Sequence, residues 1–403
     1  MNNSPHPVPK FSDTHAALAA NMDIHAMLTS NTSRSTPLSG GDAGISVPFG
    51  RTPEATTQQA SVATGAKASL HARALRTPRH TTRYWQAGPA QGPLMIFLHG
   101  WPEIGLTWRA QMQELAADGW CCVAPDMRGY GDSSAPKAPG AYALREIVRD
   151  MVELHDHLGG RAAVWVGHDL GSPVAGALAS HHPERCRGVA LVSVPYFPDG
   201  FALANLLPLV NRKIYPADQY PDGQWDYCRF YVTHFDQTVS DFDADIPATL
   251  VAIYRPGNPA SRGRVYRSAL VTRNGGWFGS AHRAPAVTPD AALWPSADFD
   301  SLVAAFRATG FRPANAWYLN DEANVTYARS APNGGRVSQP VLFINGDLDG
   351  LFDITLSDVG EPMRQACPDL TVRHQPAGHW LPLERKTELV DDIRSWVKVS
   401  QLA

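Results

Sequence analysis

With 403 residues, 44% of them hydrophobic, and a formal charge of −3, the chain has material for one large domain or a core with a second lobe, and no basic stripe for nucleic acid. No apolar run is long enough to span a bilayer, and the first residues lack the charged, apolar and small-residue order of a secretory signal. Five dispersed cysteines without a CxxC pair (Cys121, Cys122, Cys186, Cys228, Cys367) read as core thiols of a reducing compartment, not a disulfide frame or a zinc site, so a soluble, cytoplasmic protein is expected.

Residues 1–66 are rich in Ser, Thr, Ala, Gly and Pro and poor in aromatics, as in STPLSGGDAGISVPFG. Such a segment cannot bury enough apolar surface to offset its ordering entropy. A flexible extension is expected there, with a short helix around HAALAANMDIHAML. Its Ser/Thr-rich, acid-poor composition is also that of a targeting peptide.

From residue 67 the pattern changes. ARALRTPRHTTRYWQAG predicts two short strands and a turn, and PLMIFLH a strand. TWRAQMQELAADG follows as a helix, WCCVAPD as a strand, and EIVRDMVELHDHLGG as an amphipathic helix. AVWVGH, SPVAGALASHH and GVALVSVPY continue as strand, helix and strand. Short apolar runs alternating with helices predict a mostly parallel sheet covered on both faces. The alternation stops over residues 197–335, where Pro, Gly and aromatics mix with helical pieces such as DYCRFYVTHF and DSLVAAFRATG. It resumes with QPVLFIN and LTVRHQPAGHW and closes with the helix ELVDDIRSWVKV. The expected organisation is an α/β core over 67–196 and 336–403 with a helical lid over 197–335. Ligands of such sheets bind beyond the carboxyl ends of the strands.

Three groups each follow a predicted strand: Asp169 after VWVGH, Asp349 after VLFING, His379 after TVRHQPAG. VGHDLGS places Asp169 in a small-x-nucleophile-x-small turn between strand and helix. Each signal alone is weak, since an Asp in such a string is by default a turn residue and a lone His a packed one. Together they have the chain order nucleophile, acid, histidine. Asp347 and Asp353 flank Asp349 as competitors for the acid. His168, His99 and His374 read as orienting or structural, and Trp108 and Trp380 as packing.

The carboxylate decides the chemistry. Serine at such a turn needs a base before it can attack, whereas a carboxylate is already ionised at neutral pH. Attack at a carbonyl would give a labile anhydride. Displacement at a saturated carbon gives an alkyl ester, which a histidine-activated water can hydrolyse, with Asp349 holding the imidazole. The oxyanion formed then needs backbone N–H donors. Leu170, next after Asp169, and Trp101, in HGWP, are the candidates.

The sequence resembles the epoxide hydrolases of the α/β-hydrolase fold from about residue 67 onward. FLHGWPEIGLTWRAQ resembles their HGxP segment, and DMRGYGDSSAP (Asp126–Pro136) the loop after their next strand. GHDLGS resembles their nucleophile turn, and GDLDG and AGHW their acid and base segments. The family pattern selects Asp349 as the acid and implies a cis bond before Pro102. It implies an epoxide substrate with water as second substrate, and no metal or organic cofactor. It also implies lid tyrosines that protonate the departing oxygen: FRATGFRPANAWYLND points to Tyr318 and QWDYCRFY to Tyr227, while Tyr231, Tyr254 and Tyr266 read as packing. The lid's aromatics suggest a small apolar epoxide.

Two departures stand out. Leu170 replaces a commonly aromatic residue, and RPGNPASRGRVYRSALVTRNGGWFGSAHRAP, residues 255–285, has no counterpart in the pattern. The rival readings are a dehalogenase using the same Asp169 and His379, with the Trp101 indole as a halide donor, and a non-catalytic small-molecule receptor on the same fold.

Overall fold

The computed structural model describes residues 68–402. The extension expected over 1–66, with its short helix, lies outside the described residues.

The strands are β1 (His71–Arg76), β2 (Thr81–Ala87), β3 (Leu94–Leu98), β4 (Cys121–Pro125), β5 (Ala163–His168), β6 (Cys186–Val192), β7 (Val341–Gly346) and β8 (Leu370–Gln375). They form one sheet in the order β1-β2-β4-β3-β5-β6-β7-β8. The β1–β2 hairpin and the β2–β4 pair are antiparallel, and every later pair is parallel. The principal helices, in chain order, are α1 (Arg109–Ala117), α2 (Leu144–His157), α3 (Gly171–His181), α4 (Asp226–Thr233), α5 (Phe235–Asp243), α6 (Ile246–Ile253), α7 (Ser296–Thr309), α8 (Asp321–Arg329) and α9 (Lys386–Val399).

Every residue of β3, β4, β5 and β7 is buried, as expected of parallel strands covered on both faces. Successive side chains go to opposite layers. Ala163 and Trp165 of β5 join Met151 and Leu154 of α2 and Val174 and Leu178 of α3. Val164 and Val166 join Met112 and Leu115 of α1 and Ile393 and Trp396 of α9. The helix α2 buries Leu144, Ile147, Val148, Met151 and Leu154, one stripe at helical spacing. It stops where Gly159 takes φ 100, a conformation that favours glycine.

Between β6 and β7 the described elements are all helical. No helix among the described residues is long and apolar enough to cross a membrane. The five cysteines are free and buried.

The site follows from strand order. After β3 the chain builds β4 on one side, then crosses to place β5 on the other, so loops diverge at the carboxyl ends of β3 and β5 and leave a crevice. Leu98 pairs with Gly167. The residues just past those two, His99 to Trp101 and His168 to Leu170, therefore face each other across it.

Candidate active site

β5 ends at His168, Asp169 turns with φ 48, and α3 starts at Gly171. A left-handed residue with a Cβ costs about 1–2 kcal/mol, so the turn must be held by its surroundings. The small residues explain how it closes. A Cβ on Gly167 would lie 2.4 Å from the Gly171 carbonyl oxygen, and one on Gly171 2.1 Å from the Leu98 carbonyl oxygen. The Ser172 hydroxyl donates to the Gly167 carbonyl at 2.9 Å. The Asp169 side chain is thereby held at the tip of the turn, buried.

Across the crevice, the Trp101 backbone N–H donates to Asp169 Oδ1 at 2.7 Å. The Trp101–Pro102 peptide is cis. Gly100 lies so close that a Cβ on it would fall 2.4 Å from Asp169 Cβ and Oδ1 and 2.7 Å from the Leu170 nitrogen. The Leu170 and Trp101 amides thus flank the same carboxyl group.

His379, in the loop after β8, completes the cluster. Its Nε2 is 3.2 Å from Asp169 Oδ2 and its Nδ1 is 2.9 Å from Asp349 Oδ2. Asp349 is fixed in turn, because its Oδ1 accepts the Leu351 N–H at 2.8 Å. The neighbouring acids are committed elsewhere. Asp347 meets His374 Nδ1 at 2.8 Å and Asn345 at 2.7 Å, and Asp353 meets Asn345 and Thr355.

Behind these groups the loops are tied together. Glu103 Oε2 accepts the Gly100 N–H at 2.6 Å and faces His168 Nδ1 at 2.9 Å. The other His168 nitrogen, Nε2, meets the His379 carbonyl at 2.8 Å. The His99 Nε2 accepts the Met127 N–H at 2.9 Å, so its Nδ1 donates to the Gly100 carbonyl at 2.9 Å. Burial pushes the His99 imidazole down to about 4, which keeps it neutral for that pattern. Glu384 accepts N–H groups from Gly378 and from Gly257, at 2.9 and 2.8 Å. It joins the His379 loop to the inserted segment.

The protonation pattern follows from these contacts. Burial pushes the Asp169 carboxyl up, but the hydrogen bond and charge of His379 outweigh it and hold it below its ordinary value. Burial pushes the His379 imidazole down, but the charge of Asp349 and the hydrogen bond to Asp169 raise it well above the usual range. The resting group is an imidazolium donating to two carboxylates.

A cavity opens onto Asp169 and His379, lined also by Trp101, Tyr227, Tyr318 and Trp380. Tyr227 and Tyr318 stand edge to face with ring centroids 6.0 Å apart. Burial, then Cys228, then the Asp169 charge push the Tyr227 hydroxyl well above its ordinary value. Burial, then Tyr227, then Asp169 do so for Tyr318. Both are therefore protonated phenols at neutral pH. Tyr231 lies behind them, its hydroxyl accepting from the Trp277 indole at 2.8 Å. The Tyr254 hydroxyl donates to the Pro102 carbonyl at 2.8 Å. The Trp101 indole donates to Asn315 Oδ1 at 2.9 Å, so it is already engaged and does not serve as a halide donor.

Part of the wall carries no signal in the sequence. Tyr266, Arg267 and Trp277 line the cavity, and all three come from residues 255–285, which have no periodicity to place them. Tyr266, read as packing, does pack on Gly350, where a Cβ would lie 2.4 Å from its ring, and lines the cavity as well. Trp380 both packs, its indole donating to the Ile253 carbonyl at 3.2 Å, and lines the site.

Comparison with known proteins agrees with this geometry. Residues 93–237 match the alpha/beta hydrolase fold family. The chain is 32% identical over 325 residues to epoxide hydrolase A of Mycobacterium tuberculosis, covering 76% of this chain and 91% of that protein. It is 32% identical over 311 residues to an epoxide hydrolase of Caballeronia sordidicola, covering 75% and 86%. Among solved structures it is similar to an epoxide hydrolase from an endophytic Streptomyces, with a TM-score of 0.68 at 26% identity over 82% of this chain and 96% of that one. It is also similar to epoxide hydrolase A from Mycobacterium thermoresistibile, with a TM-score of 0.66 at 26% identity over 82% and 98%. A carboxylate at the turn, an imidazole on its far oxygen and relatives matched over most of their length lead to one assignment: this chain belongs to the epoxide hydrolases of the α/β-hydrolase fold.

Proposed function

We propose that the chain carries out its reaction, hydrolysis of an epoxide to a vicinal diol, in two covalent steps through Asp169 and His379. The observation that carries this reading is the division of labour on one carboxylate: Oδ1 meets the Trp101 N–H and Oδ2 faces His379.

In the first step Asp169 Oδ2 attacks an epoxide carbon. The carbon–oxygen bond breaks, and the alkoxide takes a proton from Tyr227 or Tyr318. Forming the ester removes the Asp169 charge, one of two that hold the extra proton on His379. That proton then restores the tyrosinate, and His379 is left neutral. In the second step Nε2 takes a proton from water as the water oxygen attacks the ester carbon. The negative charge builds on Oδ1, where the Trp101 and Leu170 N–H groups receive it. Breakage of the bond to Oδ2 releases the diol, protonated by His379. The water's second proton leaves the Asp169 carboxyl and recharges the imidazole. Asp349 holds the ring and stabilises its charged form.

The domain division is part of the proposal: residues 67–196 and 336–403 form the core and 197–335 the lid that supplies both tyrosines. The apolar, aromatic walls suit an apolar epoxide. The free, buried cysteines favour a reducing, cytoplasmic location.

The test is His379→Gln with an aryl epoxide, followed by intact-protein mass spectrometry. Attack is spared and ester hydrolysis fails, so the protein should gain the substrate's mass on Asp169. A variant that never gains that mass, while wild type forms diol, overturns the two-step scheme.

A further inference from the structure

Residues 255–285 hold six arginines (Arg255, Arg262, Arg264, Arg267, Arg273, Arg283) and no acidic residue. Three have clear structural work. Arg262 pairs with Asp353 at 3.2 Å, Arg283 pairs with Asp245, and Arg273 donates to the Gln219 carbonyl at 2.6 Å. Among the described residues, Arg255, Arg264, Arg267 and Arg273 have no carboxylate within ion-pair distance; Arg255 and Arg267 are the two whose charges act on each other.

Arg267 lines the cavity that holds Asp169. Its guanidinium lies 5.3 Å over the Trp277 ring and donates to the Ala252 and Ile253 carbonyls at 3.1 and 3.3 Å. The Trp277 ring is in turn 5.9 Å from that of Tyr227. A cation therefore stands one indole away from the tyrosine that faces the reacting oxygen. Arg255 follows the same carbonyls in sequence, and its Nε and Nη2 are buried without a hydrogen-bond partner. Burial, then the charge of Arg267, lower its guanidinium from the ordinary range, while Asp290 acts on it only from beyond ion-pair distance. Buried donors on a charged group are costly to leave unmatched. Two cations that act on each other's charge invite an anion.

We propose that the lid arginine Arg267, which lines the cavity, binds an anionic group of the substrate with the charge of Arg255 behind it, so that the enzyme prefers epoxides carrying a carboxylate several bonds from the oxirane. This rests on epoxide hydrolysis at Asp169 and specifies its substrate class. The Arg267 guanidinium has five N–H donors, more than the two spent on the Ala252 and Ile253 carbonyls, and those left over can meet a carboxylate. The apolar walls of Tyr266, Trp277 and Ile253 hold the hydrocarbon between the two polar ends. The anion sits away from Asp169, so the nucleophile is not opposed by a like charge at contact.

The experiment compares para-carboxy styrene oxide with its neutral carboxamide. Wild type should show a kcat/KM ratio favouring the carboxylate by about ten- to a hundredfold, the size of a charge-assisted hydrogen bond. Arg267→Gln and Arg255→Gln should each reduce that ratio, and the double variant should bring it to unity or below. Arg267→Lys should restore part of it, because the charge returns without the fork. A purely structural arginine would lower both substrates together and leave the ratio intact. A wild-type ratio near unity, or a ratio unmoved by both substitutions, overturns the proposal. Turnover of the carboxamide by wild type reads the epoxide chemistry separately: if neither substrate is opened, the underlying reaction is at fault and not the anion site.

Discussion

The backbone N–H of Trp101 and the Oδ1 oxygen of Asp169 lie 2.7 Å apart, which makes the two oxygens of that carboxylate inequivalent before any substrate arrives. Oδ1 is already in a donor's grip. Oδ2 is the oxygen facing the imidazole, and in the proposed scheme it forms the ester.

The inequivalence has an isotopic signature. In heavy-oxygen water, the first turnover should give unlabelled diol, because the added oxygen comes from Asp169. The label should appear in the peptide containing Asp169 and in later product. Mass spectrometry after single and multiple turnovers reads both. Asp169→Ala should reduce turnover by about 10⁴-fold or more, the scale of losing a nucleophile.

The two phenols can be tested as a pair. Tyr227→Phe with Tyr318→Phe should depress epoxide opening by about 10³-fold, since the alkoxide then lacks a donor. Either single change should cost less, because the other hydroxyl remains in the cavity. Pre-steady-state ester formation is the measurement to follow. Normal opening in the double variant would rule out this assignment.

The pH dependence should differ between the two steps. Asp169 is held below its ordinary value, so it stays ionised through neutral pH. Ester formation should be flat between about pH 5 and pH 8 and fall only on strong acidification. Ester hydrolysis needs neutral His379. With the Asp169 charge gone the raised imidazole value comes down, and the hydrolysis rate should climb with pH through that value. Trp101 and Trp380 border the cavity, so tryptophan fluorescence in a stopped-flow instrument can follow both phases. A hydrolysis rate that falls as pH rises contradicts the base role of His379.

Gly100 offers a steric test. Its absent Cβ would sit 2.4 Å from Asp169 Oδ1, so Gly100→Ala must displace the carboxylate or the Trp101 amide. Displacement of a reacting group by about 1 Å can cost about 10²-fold in rate. Steady-state kinetics should show that loss, with circular dichroism confirming that the sheet remains.

Much of this architecture was legible in the chain. The buried strands announced themselves because PLMIFL and AVWVG are short runs without a polar side chain, as strands of a doubly covered sheet are. The turn at Asp169 was readable because Gly167 and Gly171 have a steric reason to be small. Asp347 and Asp349 were harder to separate, being two residues apart in one loop. The backbone resolves them by turning Asp349 towards His379 and Asp347 towards His374. Arg267 and Trp277 were not legible as cavity residues. Their segment consists of short turns, without a period, so no repeat says which side chain points inward. The Trp101 indole, open to a halide-binding reading in sequence, is committed to Asn315, more than two hundred positions away.

Glu384 has a consequence for how such enzymes can be rebuilt. One carboxylate accepts N–H groups from Gly257 and Gly378, so the segment between β6 and β7 and the loop bearing the imidazole share a fastening there. Chimeras that exchange the whole insertion for a relative's should keep a working base only where the donor chain brings an amide to the same spot. Elsewhere, a graft chosen for its substrate range would loosen His379.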